Sequence, residues 1–113
     1  MENQLLTRKI LSEKWIEPSR FNEDGAMFWY NKYGDLHSVN DKPAIINGIK
    51  NKWWCKNGKR HRDGDKPAII LLNKSKYWYK NGLLHRDGDK PAIIWLNGSK
   101  SWYKNGKYIK ANF

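Results

Sequence analysis

Short apolar runs alternating with clusters of turn formers dominate the chain beyond its first seventeen residues. Ala92-Ile93-Ile94-Trp95-Leu96 follows Pro91, and a β-branched and aromatic run behind a residue that cannot donate to a ladder is how a strand begins. Asn97-Gly98-Ser99-Lys100 turns the chain, and Ser101-Trp102-Tyr103-Lys104 leads into Asn105-Gly106. Asn-Gly between apolar stretches predicts a tight hairpin, because both central residues of a type I′ turn need positive φ. The same dipeptide stands at Asn57-Gly58 and Asn81-Gly82. His85-Arg86-Asp87-Gly88-Asp89-Lys90 is polar, rich in turn formers and closed by the next proline, so it reads as a connector.

The pattern is periodic. DKPAII begins at Asp41, Asp65 and Asp89, 24 residues apart, and Gly34, Gly58, Gly82 and Gly106 keep that interval, as do His37, His61 and His85. Pro18 precedes Trp29 by eleven residues, as Pro43, Pro67 and Pro91 precede Trp54, Trp78 and Trp102. A period of this length marks a repeat architecture. The predicted fold is all-β: an elongated antiparallel meander of stacked 24-residue hairpins, copies spanning about 18–42, 43–66, 67–90 and 91–113 of one repeat domain. The first copy has one extra residue between Trp29 and Gly34, which predicts a bulge or longer turn. In the last, Ile109-Lys110-Ala111-Asn112-Phe113 replaces the connector, as expected of a terminal cap. Residues 1–17 lie outside the period. Leu5, Leu6, Ile10, Leu11, Trp15 and Ile16 spread too widely for a helical stripe, and the segment is expected to cap the first copy as a short helix or extra strand.

Residues 43–110, and especially the strings WWCKNGKRH and YWYKNGLLH, resemble the MORN repeat family in a divergent form. The resemblance implies aromatic-rich hairpins stacked side by side into one elongated sheet, and a role in scaffolding protein contacts. Arg62 and Arg86 stand where that family often has a second glycine, and DGDKPAII departs from its usual ending.

Composition sharpens the functional picture. The 113 residues carry a net charge of +11, seven Trp, six Tyr and one Cys; so aromatic a chain is not a disordered one. Residues 1–42 hold six Lys/Arg against seven Asp/Glu, and residues 43–113 sixteen against four, so the basic character belongs to the later copies. An anionic partner is therefore expected: an acidic protein or nucleoprotein first, then nucleic acid, then an anionic membrane surface. No apolar run approaches the ~18 residues of a membrane span, and the N-terminus lacks a secretory signal pattern, so a cytoplasmic location is expected. A lone Cys55 agrees with a reducing compartment.

The central strand of each copy alternates, which places Trp54, Trp78 and Trp102 on one face with Lys52 and Lys56, Lys76 and Lys80, and Lys100 and Lys104. That face is either a stacking platform for bases with ammonium groups for phosphates, or a buried column under lysine stems. These nine residues, with Arg60, Arg62 and Arg86, are the candidate partner-binding set. Three equivalent histidines cannot share one metal, since equivalent positions lie about 9.5 Å apart; a connector hydrogen bond is their expected role. Asp63-Gly64-Asp65 and Asp87-Gly88-Asp89 lack the ligand count of a calcium loop and read as turns, with Arg62 or Arg86 as surface partner. Cys55 gives way to Tyr79 and Tyr103 at equivalent positions, so it reads as a packing residue. No catalytic constellation or cofactor motif is apparent, and a non-enzyme is expected: a binding module, with direct single-stranded nucleic-acid binding as the alternative. The abundance of Lys, Asn and Ile points to an AT-rich genome, and short repeat chains of this kind look like phage or large DNA virus accessory proteins that inhibit a host or defence component.

Overall fold

A computed structural model describes residues 20–21, 25–47 and 50–113; the cap expected over 1–17 lies outside them. Thirteen strands and no helix appear among the described residues. In chain order they are β1 (Arg20–Phe21), β2 (Met27–Phe28), β3 (Ile45–Ile46), β4 (Lys52–Trp53), β5 (Cys55–Lys56), β6 (Lys59–Arg60), β7 (Ile69–Ile70), β8 (Lys76–Tyr77), β9 (Tyr79–Lys80), β10 (Leu83–Leu84), β11 (Ile93–Ile94), β12 (Lys100–Lys104) and β13 (Lys107–Asn112). Nine of them form one antiparallel meander in the order β1-β2-β3-β4-β7-β8-β11-β12-β13. Two hairpins, β5–β6 and β9–β10, form separate two-stranded sheets. The principal-axis extents are 52 × 24 × 17 Å.

The turns follow their chemistry. Asn57 and Gly58 have φ of 50° and 84°, Asn81 and Gly82 53° and 86°, Asn105 and Gly106 50° and 82°, the double left-handed conformation of a type I′ turn. The extra residue of the first copy lengthens its turn: Tyr30 and Leu36 bridge, and Asn31 Oδ1 accepts from the backbone N–H groups of Tyr33 and Asp35.

The expectation of one continuous central strand per copy is overturned. β4 ends at Trp53 and β5 begins at Cys55, because Trp54 and Cys55 are both buried, at 5% and 4% exposure, and successive residues of a regular strand point to opposite faces. Trp54 links the two sheets instead: its N–H donates to Ala68 O (2.7 Å) and its carbonyl accepts from His61 N–H (3.1 Å). Trp78 does the same between Ala92 and His85, and Trp29 between Ala44 and His37. In β12 the break becomes a register shift between Trp102 and Tyr103. Lys52 and Lys56 therefore belong to different sheets, and neither shares a regular strand face with Trp54.

Ala44, Ala68 and Ala92 have no exposed surface. Each donates its N–H to the strand on one side (Trp53, Tyr77 and Ser101 O) and accepts from a Trp N–H on the other, so there is room for a methyl group and little more. β13 closes the far end by folding back on β12, Ser101 facing Ala111 and Lys100 facing Asn112. Those are the places that Ile93 and Ile94 take opposite Tyr77 and Lys76.

Candidate binding surface

The connectors consume much of the charge that sequence reasoning assigned to a partner. Arg62 forks onto Asp41, Nε to Oδ1 at 2.9 Å and Nη2 to Oδ2 at 3.2 Å, while Nη1 donates to Pro67 O at 3.1 Å. Its guanidinium carbon lies 3.8 Å from the centre of the Trp54 ring, and Lys66 donates to Asp41 Oδ2 at 2.8 Å. Twenty-four residues on, Arg86 makes the same contacts with Asp65, Pro91 O and Trp78, and Lys90 takes the place of Lys66. The Arg62 and Arg86 side chains are only 13% and 15% exposed, so neither presents a free fork to a partner. The Arg62 hydrogen bond, then that of Lys66, holds the Asp41 carboxyl down at about 2; Arg86 and Lys90 depress Asp65 in the same way.

Trp54 and Trp78 are buried beneath these arginines, which removes them as platforms for bases. Trp54 Nε1 donates to Asp41 O at 3.0 Å, whereas Trp78 Nε1 and Trp102 Nε1 are buried without an acceptor among the described residues. Over Trp102, half-buried in the last copy, Lys110 replaces the arginine at 4.8 Å and reaches Asp89 at 3.6 Å.

Each histidine ties its own segment to the Asn-Gly turn twenty residues later. The Nδ1 atoms of His37, His61 and His85 accept the backbone N–H of Asn57, Asn81 and Asn105 at 2.9–3.0 Å, and Gly58, Gly82 and Gly106 donate to Leu36, Arg60 and Leu84 O beside them. His61 and His85 Nε2 then donate to Asp63 and Asp87 at 2.8 and 2.7 Å, which lowers both carboxyl pKa values. The surface partner of Asp63 expected from sequence was Arg62; it is His61, because Arg62 is already spent on Asp41.

Two equivalent grooves lie between successive connectors. One, about 370 Å³, is lined by Ser38, Cys55, Trp54 and His61 among others; the next, about 210 Å³, has Arg62 and Tyr79 where the first has Ser38 and Cys55. Smaller residues at two equivalent positions account for the larger volume. Burial pushes the Cys55 thiol pKa up, the opposite of what a nucleophile needs. Among the described residues no group of three or more His, Cys, Asp or Glu is placed to hold a metal ion, and no helix is long and apolar enough to cross a membrane.

The remaining candidates separate into two rows. In the side hairpins, Lys56 stands 3.9 Å from Asp63, Arg60 lies 5.7 Å from the Tyr79 ring centre, Lys80 is exposed, and Lys104 Nζ donates to Arg86 O and Gly88 O at 2.9 Å. In the long sheet, Lys52 faces Ile46 and Ile70, Lys76 faces Ile70 and Ile94, and Lys100 faces Ile94 and Asn112. Residues directly opposite on neighbouring strands share a face, so Ile46, Lys52, Ile70, Lys76, Ile94 and Lys100 form one ladder. Lys52 and Lys76 are exposed and make no ion pair among the described residues; Lys100 is half-buried, its Nζ 3.3 Å from Gly98 O. Sequence reasoning named the three lysines but missed the isoleucines between them, whose register depends on where each strand breaks. No family model, curated protein or solved structure matches the chain.

Proposed function

We propose that the chain is a stack of 24-residue β-hairpin copies acting as a non-catalytic binding module, which docks an acidic macromolecule, a protein or nucleoprotein, on the lysine-bearing face of its long sheet. The observation that carries this reading is the segregation of charge. Residues 25–113 hold eighteen Lys/Arg and six Asp, and five of those six are engaged: Asp41, Asp65 and Asp89 by Arg62, Arg86 and Lys110, and Asp63 and Asp87 by hydrogen bonds from His61 and His85. Among the described residues Lys52, Lys76 and Lys100 have no carboxylate partner, and they stand on one face of the long sheet at intervals of 24 residues. A row of like charge steers an oppositely charged partner and favours its encounter. A phage or viral accessory protein that inhibits a host or defence component in the cytoplasm would use such a surface; composition supports that context.

Base stacking needs open aromatic faces, and the buried Trp54 and Trp78 rings argue for electrostatic contact without it. The test is capture from host lysate on immobilised protein, with and without nuclease, beside the triple variant Lys52→Glu, Lys76→Glu, Lys100→Glu. Capture that survives nuclease and disappears with the variant is expected. Capture indifferent to the variant overturns the reading, and capture lost to nuclease moves the partner to nucleic acid.

A further inference from the structure

The ladder is as apolar as it is basic, and that restricts its partner. Ile46, Ile70 and Ile94 are half-buried and alternate one for one with Lys52, Lys76 and Lys100 across six adjacent strands. Neighbouring strands lie about 4.8 Å apart, so like side chains recur about every 9.6 Å along the stack. A phosphate backbone would pair with the lysines and leave the isoleucines wet. An extended peptide laid along the stack repeats its face about every 6.8 Å and falls out of step by the second lysine. An α-helix rises 1.5 Å per residue, so a stripe of alternating apolar and acidic positions spaced three or four residues apart advances about 5.3 Å per step and about 10.5 Å per acidic residue. Over the span from Lys52 to Lys100 the mismatch is about 2 Å, within the swing of a lysine stem, and that same freedom accommodates the strand twist.

Resting on the binding-module reading above, we propose that this ladder receives an amphipathic helix of a partner protein, lying along the stack with carboxylates at every seventh residue against Lys52, Lys76 and Lys100 and apolar side chains on Ile70 and Ile94. The apolar positions supply desolvated contact at the centre, and the ion pairs set register and orientation.

The test uses the full chain and three probes of equal net charge: a helical peptide of about 24 residues with alternating Leu and Glu on one stripe, the same composition shuffled so that the stripe is lost, and a single-stranded oligonucleotide. The patterned peptide is expected to bind at least tenfold more tightly than the other two. Lys76→Glu should weaken it tenfold or more and Lys76→Arg less than threefold, and Ile70→Thr should weaken the patterned peptide while leaving the shuffled one unchanged; circular dichroism melts verify that each variant folds. Equal binding of the two peptides, or tighter binding of the oligonucleotide, overturns the helix assignment. If Lys76→Glu still weakens every probe, the basic-surface reading survives that failure. If Lys76→Glu changes none, both fall.

Discussion

At the scale of single residues, arginine and tryptophan act as one unit. Arg86 spends three nitrogens on Asp65 and Pro91 O while its plane covers Trp78. A lysine cannot reproduce the fork or the stacking. Arg86→Lys should therefore cost about 1–3 kcal/mol in chemical denaturation despite keeping the charge, whereas Lys76→Ala, on an exposed site with no ion pair among the described residues, should change stability by under about 0.5 kcal/mol. Trp78→Ala should cost roughly 3–5 kcal/mol, as removal of a buried aromatic does. Removing the indole N–H separates the copies further. Trp54 donates to Asp41 O and Trp78 finds no acceptor among the described residues, so Trp54→Phe should be more destabilising than Trp78→Phe by about 1 kcal/mol in parallel urea titrations. Cys55, buried and with its thiol pKa raised, should react with a thiol reagent far faster in denaturant than in the native protein. Cys55→Tyr should fold with little change, because Tyr79 occupies the equivalent wall of the neighbouring groove; fast native labelling would mean that reagent reaches the thiol through the groove despite its burial.

At the scale of elements, the legible features were those decided locally. Asn-Gly turns, proline-led strands and the lengthened first turn rest on backbone chemistry within a few residues, and all three are found where the pattern places them. The break at Trp54 was not legible, because alternation of Lys52, Trp54 and Lys56 is what a straight strand would show. Only the arginine arriving from eight residues later and the alanine from fourteen residues later, Arg62 and Ala68, draw the Trp54 ring and its N–H out of that alternation. The same long-range origin explains why Arg62 reads in the sequence as a partner contact: its acceptor, Asp41, lies 21 residues upstream. Ala68 is the element-scale test. With no exposed surface and backbone bonds on both sides, it leaves no room for the two methyl groups that Ala68→Val adds. A loss of about 1–3 kcal/mol is expected by thermal melting. A neutral result would mean that neighbouring strands separate more readily than this packing allows.

At the scale of the whole molecule, carboxylates are what join one connector to the next, and they give the stack a defined acid response. Asp41 receives Arg62 and Lys66, and Asp65 receives Arg86 and Lys90, each from 21 or 25 residues further along the chain. Folding lowers the pKa of both, Asp41 to about 2, chiefly through the arginine hydrogen bond. A carboxylate depressed in the folded state binds fewer protons there than in the unfolded chain, so its stabilisation is complete above the ordinary carboxylate pKa near ~4 and is lost as pH falls through the folded value. Melting temperature should therefore be nearly flat from pH 7 to about 5 and fall steeply below about 4. The protein's positive charge produces an acid loss of its own as the remaining carboxylates protonate, and salt distinguishes the two: repulsion among exposed lysines is screened at high ionic strength, while a fork whose arginine is 13–15% exposed is screened less. Melts between pH 7 and 2 at low and high salt, for the wild type and for the double variant Asp41→Asn, Asp65→Asn, resolve these contributions. The variant should melt lower at pH 7 and show a shallower acid slope that high salt largely abolishes, whereas the wild type should keep a steep step below pH 4 at both salt concentrations. Parallel acid slopes for the two proteins would place the response in overall charge repulsion instead of in the ties between copies.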